Sequence, residues 1–163
     1  MITNIINIIT LSRIVCAILV YLFLYLESQY LIALLLFAIA SFSDFLDGYL
    51  ARKTNSESVL GEILDPIADK LLIVFVLIGL SVNLNSFLVG FISAVIISRE
   101  IWVAALRDIN SRNNQSEKTK VTFLAKTKTA IQMLAILLYL FGLAINNMMI
   151  LFFADMILII ALL

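Results

Sequence analysis

Four aspartates are the residues of this chain best suited to chemistry. Asp44 and Asp47 are three residues apart, and Asp65 and Asp69 are four residues apart. On a helix each pair shares one face. Four neighbouring carboxylates repel one another unless some are protonated or a cation is bound. Carboxylate oxygens favour hard ions such as Mg²⁺ or Mn²⁺, and a site with two ions suits phosphoryl transfer. The pattern therefore predicts a metal site, plausibly with two ions, for chemistry of that type.

Small residues continue both acidic faces. Gly48 and Ala51 lie four and seven residues after Asp44, and Gly61 lies four residues before Asp65. Such positions leave a helix face open, so that a ligand can approach the backbone. The alternative is helix packing, because small residues are common where membrane helices meet.

Composition sets the surroundings of these acids. The 163-residue chain is 63% hydrophobic and 13% charged, with a mean hydropathy of +1.12, whereas a soluble domain is about half apolar and about a quarter charged. The chain therefore belongs in lipid, where carboxylates are energetically costly and usually mark a functional site. The absence of histidine excludes histidine catalysis, the single Cys16 excludes an internal disulfide, and the zero net charge predicts no nucleic-acid partner.

The elements that must position the acids are apolar helices of bilayer length. We predict an all-α integral membrane bundle of six transmembrane helices forming a single domain, residues 1–163. A short N-terminal interfacial helix is also predicted, because Thr3, Asn4, Asn7 and Thr10 lie opposite isoleucines; a ragged start of the first span is the alternative. The predicted spans are Leu11–Leu26, Tyr30–Ala51, Gly61–Val82, Phe87–Leu106, Leu124–Ala144 and Met148–Leu163.

Among the loops between the predicted spans, only alternate loops contain lysine or arginine. Arg52 and Lys53 follow the second span, further basic residues lie between the fourth and fifth spans, and the loops after spans one, three and five have none. Because basic loops stay in the cytoplasm, we predict a multi-pass protein of the cell (inner) membrane whose acidic site faces the cytoplasm. No signal peptide is predicted, and the chain ends within its sixth span, which suggests a truncated or unusually short C-terminus.

The acidic segment resembles the signature of the CDP-alcohol phosphatidyltransferase superfamily. That signature reads Asp-x-x-Asp-Gly-x-x-Ala-Arg, eight residues, then Gly-x-x-x-Asp-x-x-x-Asp, and every specified position from Asp44 to Asp69 matches it. Flanking segments are most similar to bacterial phosphatidylglycerophosphate synthases: the segments are residues 4–13, 98–101, 105–107 and 126–130. Ile6 and Ala125 stand where these synthases usually have proline and glycine.

The resemblance implies a reaction and a set of roles. The phosphatidyl group of CDP-diacylglycerol would pass to glycerol 3-phosphate, giving phosphatidylglycerophosphate and CMP. Asp69 would be the general base, and Asp44, Asp47, Asp65 and Asp69 would hold the metal. A homodimer in membrane lipid is implied as well. The implied CDP-binding residues are Thr10, Asp44, Gly48, Ala51, Arg52, Gly61 and Asp65. The candidates for the acceptor phosphate are Arg99, Arg107, Lys126 and Lys128.

Three alternatives stay open at this stage. The same superfamily could use another acceptor: inositol phosphate, serine or a second phosphatidylglycerol. Membrane prenyltransferases also pair aspartate motifs with Mg²⁺, but their motifs lie far apart. A cation transporter would also carry intramembrane acids, yet these acids cluster near one loop and do not line a path across the membrane.

Overall fold

The computed structural model describes the backbone of residues 2–26, 29–54, 59–112 and 123–162. It describes fewer side chains, omitting those of residues 2–7, 44–54, 59–63, 65, 107, 111–112 and 123–126. Within the described ranges every regular element is helical and no strand occurs, which confirms the all-α prediction. The six helices of these ranges are α1 (Ile2–Tyr25), α2 (Tyr30–Thr54), α3 (Val59–Asn83), α4 (Phe87–Arg112), α5 (Phe123–Ala144) and α6 (Met148–Leu162).

Four of these helices are long and apolar enough to cross a membrane, which makes the chain an integral membrane protein. The apolar stretches are Ile8–Tyr25, Pro66–Asn83, Phe87–Asn110 and Thr127–Ala144. Two further apolar stretches, Tyr30–Ser43 and Met148–Leu162, are shorter. Helix α1 runs without a break from Ile2 to Tyr25, so no change of element separates the predicted interfacial segment from the first span.

Asparagines close the turns between α3 and α4 and between α5 and α6. Asn85 and Asn146 have φ angles of 45° and 52°, a left-handed conformation that asparagine tolerates better than most residues. After each turn a polar side chain caps the next helix: Ser86 Oγ accepts from the amide of Val89 at 3.3 Å, and Asn147 Oδ1 accepts from that of Met149 at 3.0 Å. These caps explain why the predicted helix boundaries at Phe87 and Met148 agree with the structure.

The core of the bundle includes buried residues of all six described helices, and α1 packs against both α2 and α3. One stripe of α1 is buried at intervals of three and four residues, the spacing of a single helical face. Its members are Thr10, Arg13, Ala17, Val20 and Leu24, each no more than 1% exposed. Helix α5 packs against α6 and α2, and α4 packs against α3.

Asn83 shows how the first three helices run relative to one another. Its side-chain amide donates to the carbonyl of Leu24 at 2.9 Å and to the hydroxyl of Tyr30 at 3.0 Å. The C-terminal ends of α1 and α3 therefore meet at the N-terminal end of α2. It follows that α1 and α3 are parallel and that α2 runs antiparallel to both.

Gly79 lets α1 and α3 approach each other closely. A methyl group at this position would lie 2.9 Å from Cδ1 of Leu24 and 3.2 Å from Cδ2 of Tyr21. We expect Gly79→Leu to destabilise the protein by about 1–3 kcal/mol, because the added atoms must push the two helices apart. Thermal melting in detergent checks this, with Ala94→Leu on the exposed face of α4 as the matched control. Equal melting temperatures for the two variants would contradict the close packing.

Helix α6 contains an acid, Asp155, for which the sequence offers no role. Asp155 of α6 accepts a hydrogen bond from the hydroxyl of the buried Tyr139 of α5. The pair joins two helices that pack against each other. Asp155 is thus accommodated by a local polar partner.

Candidate active site

Helix geometry places the motif aspartates at matching depths. Tyr30 and Asn83 are hydrogen-bonded and define a common level. Asp44 lies fourteen residues after Tyr30 on α2, and Asp69 lies fourteen residues before Asn83 on α3. At 1.5 Å per residue both lie about 21 Å from that level. Since α2 and α3 are antiparallel, the two acids share a depth in the bundle.

The other acid of each pair also has a counterpart at a similar depth on the neighbouring helix. Asp47 and Asp65 lie seventeen and eighteen residues from the Tyr30–Asn83 level, or about 26 Å along their helices. They therefore form a second layer, one turn nearer the linker between α2 and α3. These depths are compatible with the predicted cluster.

Asp69 is the motif aspartate whose side chain the structure describes. Its Oδ1 atom accepts from Nη1 of Arg13 in an ion pair between α3 and α1. The Arg13 side chain is 0% exposed, whereas that of Asp69 is 35% exposed. One carboxylate oxygen is thus bound to a buried cation, while the side chain as a whole stays accessible.

The accessible side of Asp69 faces a cavity of about 200 Å³. The polar part of its wall consists of Asp69, Lys70, Glu100 and Thr129. The apolar part consists of Pro66, Ile73, Val74, Ile96 and Ile97. Helices α3, α4 and α5 all contribute to this wall. The cavity therefore combines charged groups with an apolar surface, which is the usual composition of a ligand-binding pocket.

Two cation candidates for the acceptor phosphate are described on α4 and α5. Arg99 Nη2 donates to Glu100 Oε1 at 2.6 Å, so the arginine is paired with its own neighbour. Nη1 of Arg99 is buried and, among the described contacts, makes no hydrogen bond. Lys128 is half-buried and directly precedes Thr129 of the cavity wall. Each of these cations therefore directly precedes a residue of the cavity wall, Glu100 in the case of Arg99 and Thr129 in the case of Lys128.

Thr10, predicted to contact the nucleotide, is fully buried on the α1 stripe, one turn before Arg13. For the remaining predicted site residues the structure gives a place on a helix but no side chain. Asp44, Asp47, Gly48, Ala51 and Arg52 are on α2, Gly61 and Asp65 on α3, Arg107 on α4, and Lys126 on α5. Their predicted roles lie outside what the described side chains test.

Sequence reasoning missed the roles of three residues at this site. Arg13 had no assigned role, and Glu100 and Thr129 were not recognised as parts of a cavity wall. A usable signal existed for Arg13. It falls on the same stripe as Ala17 and Val20, so a charged residue was placed on the buried face of α1.

The donor set fits a hard divalent cation. Among the described side chains no three metal-ligating groups cluster, and this set includes only Asp69 of the four motif aspartates. The backbone nevertheless places two carboxylate residues of α2 and two of α3 in matching layers. Oxygen ligands in such number suit Mg²⁺ or Mn²⁺. The positions of the helices are therefore compatible with the predicted metal.

Comparison with known proteins gives consistent matches. A family model described as CDP-alcohol phosphatidyltransferase matches residues 3–162. Three similar relatives are each named CDP-diacylglycerol–glycerol-3-phosphate 3-phosphatidyltransferase. The Haemophilus influenzae protein is 39% identical over 70% of this chain and 62% of its own length. The Salmonella choleraesuis protein is 32% identical over 82% and 74%, and the Escherichia coli protein is 35% identical over 64% and 57%.

The match to the first of these relatives spans less than two thirds of that protein's length. The family model, by contrast, covers almost the whole of the present chain. It includes the aspartates of α2 and α3 and the walls of the cavity. The chain therefore belongs to the CDP-alcohol phosphatidyltransferase family.

Proposed function

We propose that the protein transfers the phosphatidyl group of CDP-diacylglycerol to glycerol 3-phosphate, forming phosphatidylglycerophosphate and CMP in phospholipid biosynthesis. The observation that carries this proposal is the position of Asp69. It is the last residue of the acidic motif, and it lies on the wall of a cavity between three apolar helices. The names of the relatives support glycerol 3-phosphate as the acceptor.

The reaction needs a base beside a site that admits both substrates. Asp69 would accept the proton of the acceptor hydroxyl while the hydroxyl oxygen attacks the phosphorus that carries the diacylglycerol. The bond from that phosphorus to CMP would then break. The accessible fraction of Asp69 and its place on the cavity wall support this role, because a base must come within hydrogen-bond reach of the proton that it removes.

The four motif aspartates, Asp44, Asp47, Asp65 and Asp69, would hold Mg²⁺ or Mn²⁺ as two ions. When bound, the metal supplies positive charge that stabilises the pyrophosphate and the departing CMP. The nucleotide would lie along the open faces of α2 and α3. The residues proposed to contact it are Thr10, Gly48, Ala51, Arg52 and Gly61, together with Asp44 and Asp65.

The phosphate of the acceptor requires cations near the cavity. We assign this role to Arg99, Arg107, Lys126 and Lys128. Glu100 already offsets the charge of Arg99 on one side, while the buried Nη1 makes no hydrogen bond among the described contacts. A phosphate oxygen that reached this nitrogen would satisfy it, since guanidinium groups bind phosphate well.

The membrane arrangement follows from helix lengths and loop charges. All six helices would span the bilayer as one domain, with the first residues of α1 lying in the interface. Arg52 and Lys53 would keep the acidic site at the cytoplasmic face of the cell membrane. The shorter apolar stretches of α2 and α6 are compatible with spanning if the bilayer thins locally. A homodimer is part of the proposal.

The proposal is tested by CMP release from purified protein with CDP-diacylglycerol and Mg²⁺ or Mn²⁺. Glycerol 3-phosphate, inositol phosphate, serine and phosphatidylglycerol are supplied in separate reactions. We expect release with glycerol 3-phosphate to exceed that with every other acceptor by at least about 100-fold, because a site built for one polar acceptor rejects analogues that leave its groups unpaired.

Each other outcome has a definite meaning. Faster release with another acceptor would support CDP-diacylglycerol as the donor and would show that glycerol 3-phosphate is not the preferred acceptor. Absence of CMP with all four acceptors, from protein with a cooperative thermal melt, would contradict a transferase. A transporter would then be examined through metal-ion uptake into proteoliposomes.

A further inference from the structure

We infer that Arg13 of α1 is the residue that positions Asp69 for the reaction. This inference rests on the proposed function and adds a role for α1, which carries none of the four motif aspartates. The observation is the ion pair between Nη1 of Arg13 and Oδ1 of Asp69, formed across 56 residues of sequence.

The burial of the two partners differs in a way that assigns their roles. The Arg13 side chain is 0% exposed and does not line the cavity, whereas Asp69 is accessible and does. A substrate in the cavity can therefore touch Asp69 but not Arg13. Arg13 can therefore act on the reaction through the carboxylate that it holds.

The pairing also explains why a charged residue stands on the buried stripe of α1. Arginine inside the membrane is costly unless an acid or a backbone group compensates it. Asp69 supplies the opposite charge, and Arg13 in turn orients Oδ1 toward α1. The same carboxylate group lines the cavity, so the ion pair fixes the orientation of a side chain that a substrate can reach. A base that is held in one orientation does not populate unproductive rotamers, and such positioning accelerates a reaction.

The packing around Arg13 favours a rigid support. Ala17 and Val20 continue the buried stripe on α1, and Leu72 and Val76 are buried on α3 beyond Asp69. Helices α1 and α3 are also joined at their far ends by Asn83 and the carbonyl of Leu24. Among the described contacts, the ion pair and the Asn83 hydrogen bond both join α1 to α3, and of these two the ion pair includes a residue of the cavity.

The experiment compares Arg13→Gln and Arg13→Lys with wild type and with Asn83→Leu. Asn83→Leu removes the other polar tie and serves as the control for general loosening. We measure kcat and KM for both substrates by CMP release, and thermal melting for each protein. For Arg13→Gln we expect kcat to fall about 100-fold, with both KM values within threefold of wild type, since the loss lies in the reacting state and not in substrate binding.

Arg13→Lys should recover part of the rate, to about tenfold below wild type, because it keeps the charge but not the length and planar shape of the guanidinium. Asn83→Leu should lower the melting temperature and leave kcat within threefold of wild type. This set of responses separates positioning from stability, since a purely structural role would not give a rate loss for Arg13→Gln alone.

Three results would overturn the inference: a folded Arg13→Gln with kcat within threefold of wild type, a loss confined to KM, or an equal loss of kcat in Asn83→Leu. If Arg13→Gln does not fold, Arg13→Lys decides, and an unchanged kcat in that variant counts against positioning. Failure of the proposed function is distinguishable, because wild type would then release no CMP under the same conditions.

Discussion

Asp69→Asn is expected to reduce CMP release by about 1,000-fold or more. The substitution removes the proposed proton acceptor, and general bases contribute about 100- to 10,000-fold to such reactions. It also removes one of the four proposed metal-binding carboxylates. The asparagine retains a side-chain oxygen that can accept from Arg13, the partner of Asp69 in α1. We therefore expect the variant to fold, so that its loss of rate reports on chemistry.

The measurement is the initial rate of CMP release with saturating CDP-diacylglycerol and glycerol 3-phosphate. Asp155→Asn is the matched control, because it is the same substitution in α6 at a site where the acid accepts from Tyr139. The control should stay within about twofold of wild type, since asparagine can accept the same hydrogen bond. A folded Asp69→Asn protein within tenfold of wild type would exclude Asp69 as the base.

Removal of divalent metal is expected to have the second largest effect. Chelation with EDTA should reduce CMP release to background, and added Mg²⁺ or Mn²⁺ should restore it. The physical reason is charge: four carboxylates at matching depths repel one another and the donor pyrophosphate unless cations intervene. An enzyme that retains its rate in EDTA, with less than one metal ion per chain by mass spectrometry, would contradict the metal site.

Substitution of a motif aspartate connects this metal requirement to particular residues. We expect Asp44→Asn to raise the Mn²⁺ concentration that gives half-maximal rate by at least about tenfold, because one charged ligand is lost. Direct Mn²⁺ binding, followed by the electron paramagnetic resonance of the free ion, should weaken in parallel. Asp155→Asn should leave both values unchanged. Equal Mn²⁺ binding by Asp44→Asn and wild type would remove Asp44 from the ligand set.

Much of this protein could be predicted from local pattern. Apolar stretches of bilayer length predicted helix positions, and the observed starts at Tyr30, Phe87 and Met148 agree. These positions are local properties, because in lipid each helix must satisfy its own backbone hydrogen bonds. The spacing of Asp44 and Asp47, and of Asp65 and Asp69, predicted shared faces on consecutive helices. Each acid of α2 has a counterpart on α3 at a similar distance from the Tyr30–Asn83 level, which is compatible with that prediction.

The partner of Asp69 could not be predicted in the same way. Helical periodicity places Arg13 on the buried stripe of α1, but it does not say which neighbouring helix that stripe meets. The parallel packing of α1 and α3 decides this, and it depends on features distant in sequence, such as the space that Gly79 leaves for Tyr21 and Leu24. Only the assembled bundle therefore joins Arg13 to Asp69.

The cavity also combines features that the sequence determines with features that depend on helix packing. Sequence by itself determined that Asp69 and Glu100 are acids within apolar helices, and that Thr129 follows a basic pair. Only the tertiary structure decided that the three residues share one wall, since they come from α3, α4 and α5. The physical reason is that helix formation is governed by neighbours along the chain, whereas a cavity is the space left where side chains of separate helices fail to meet.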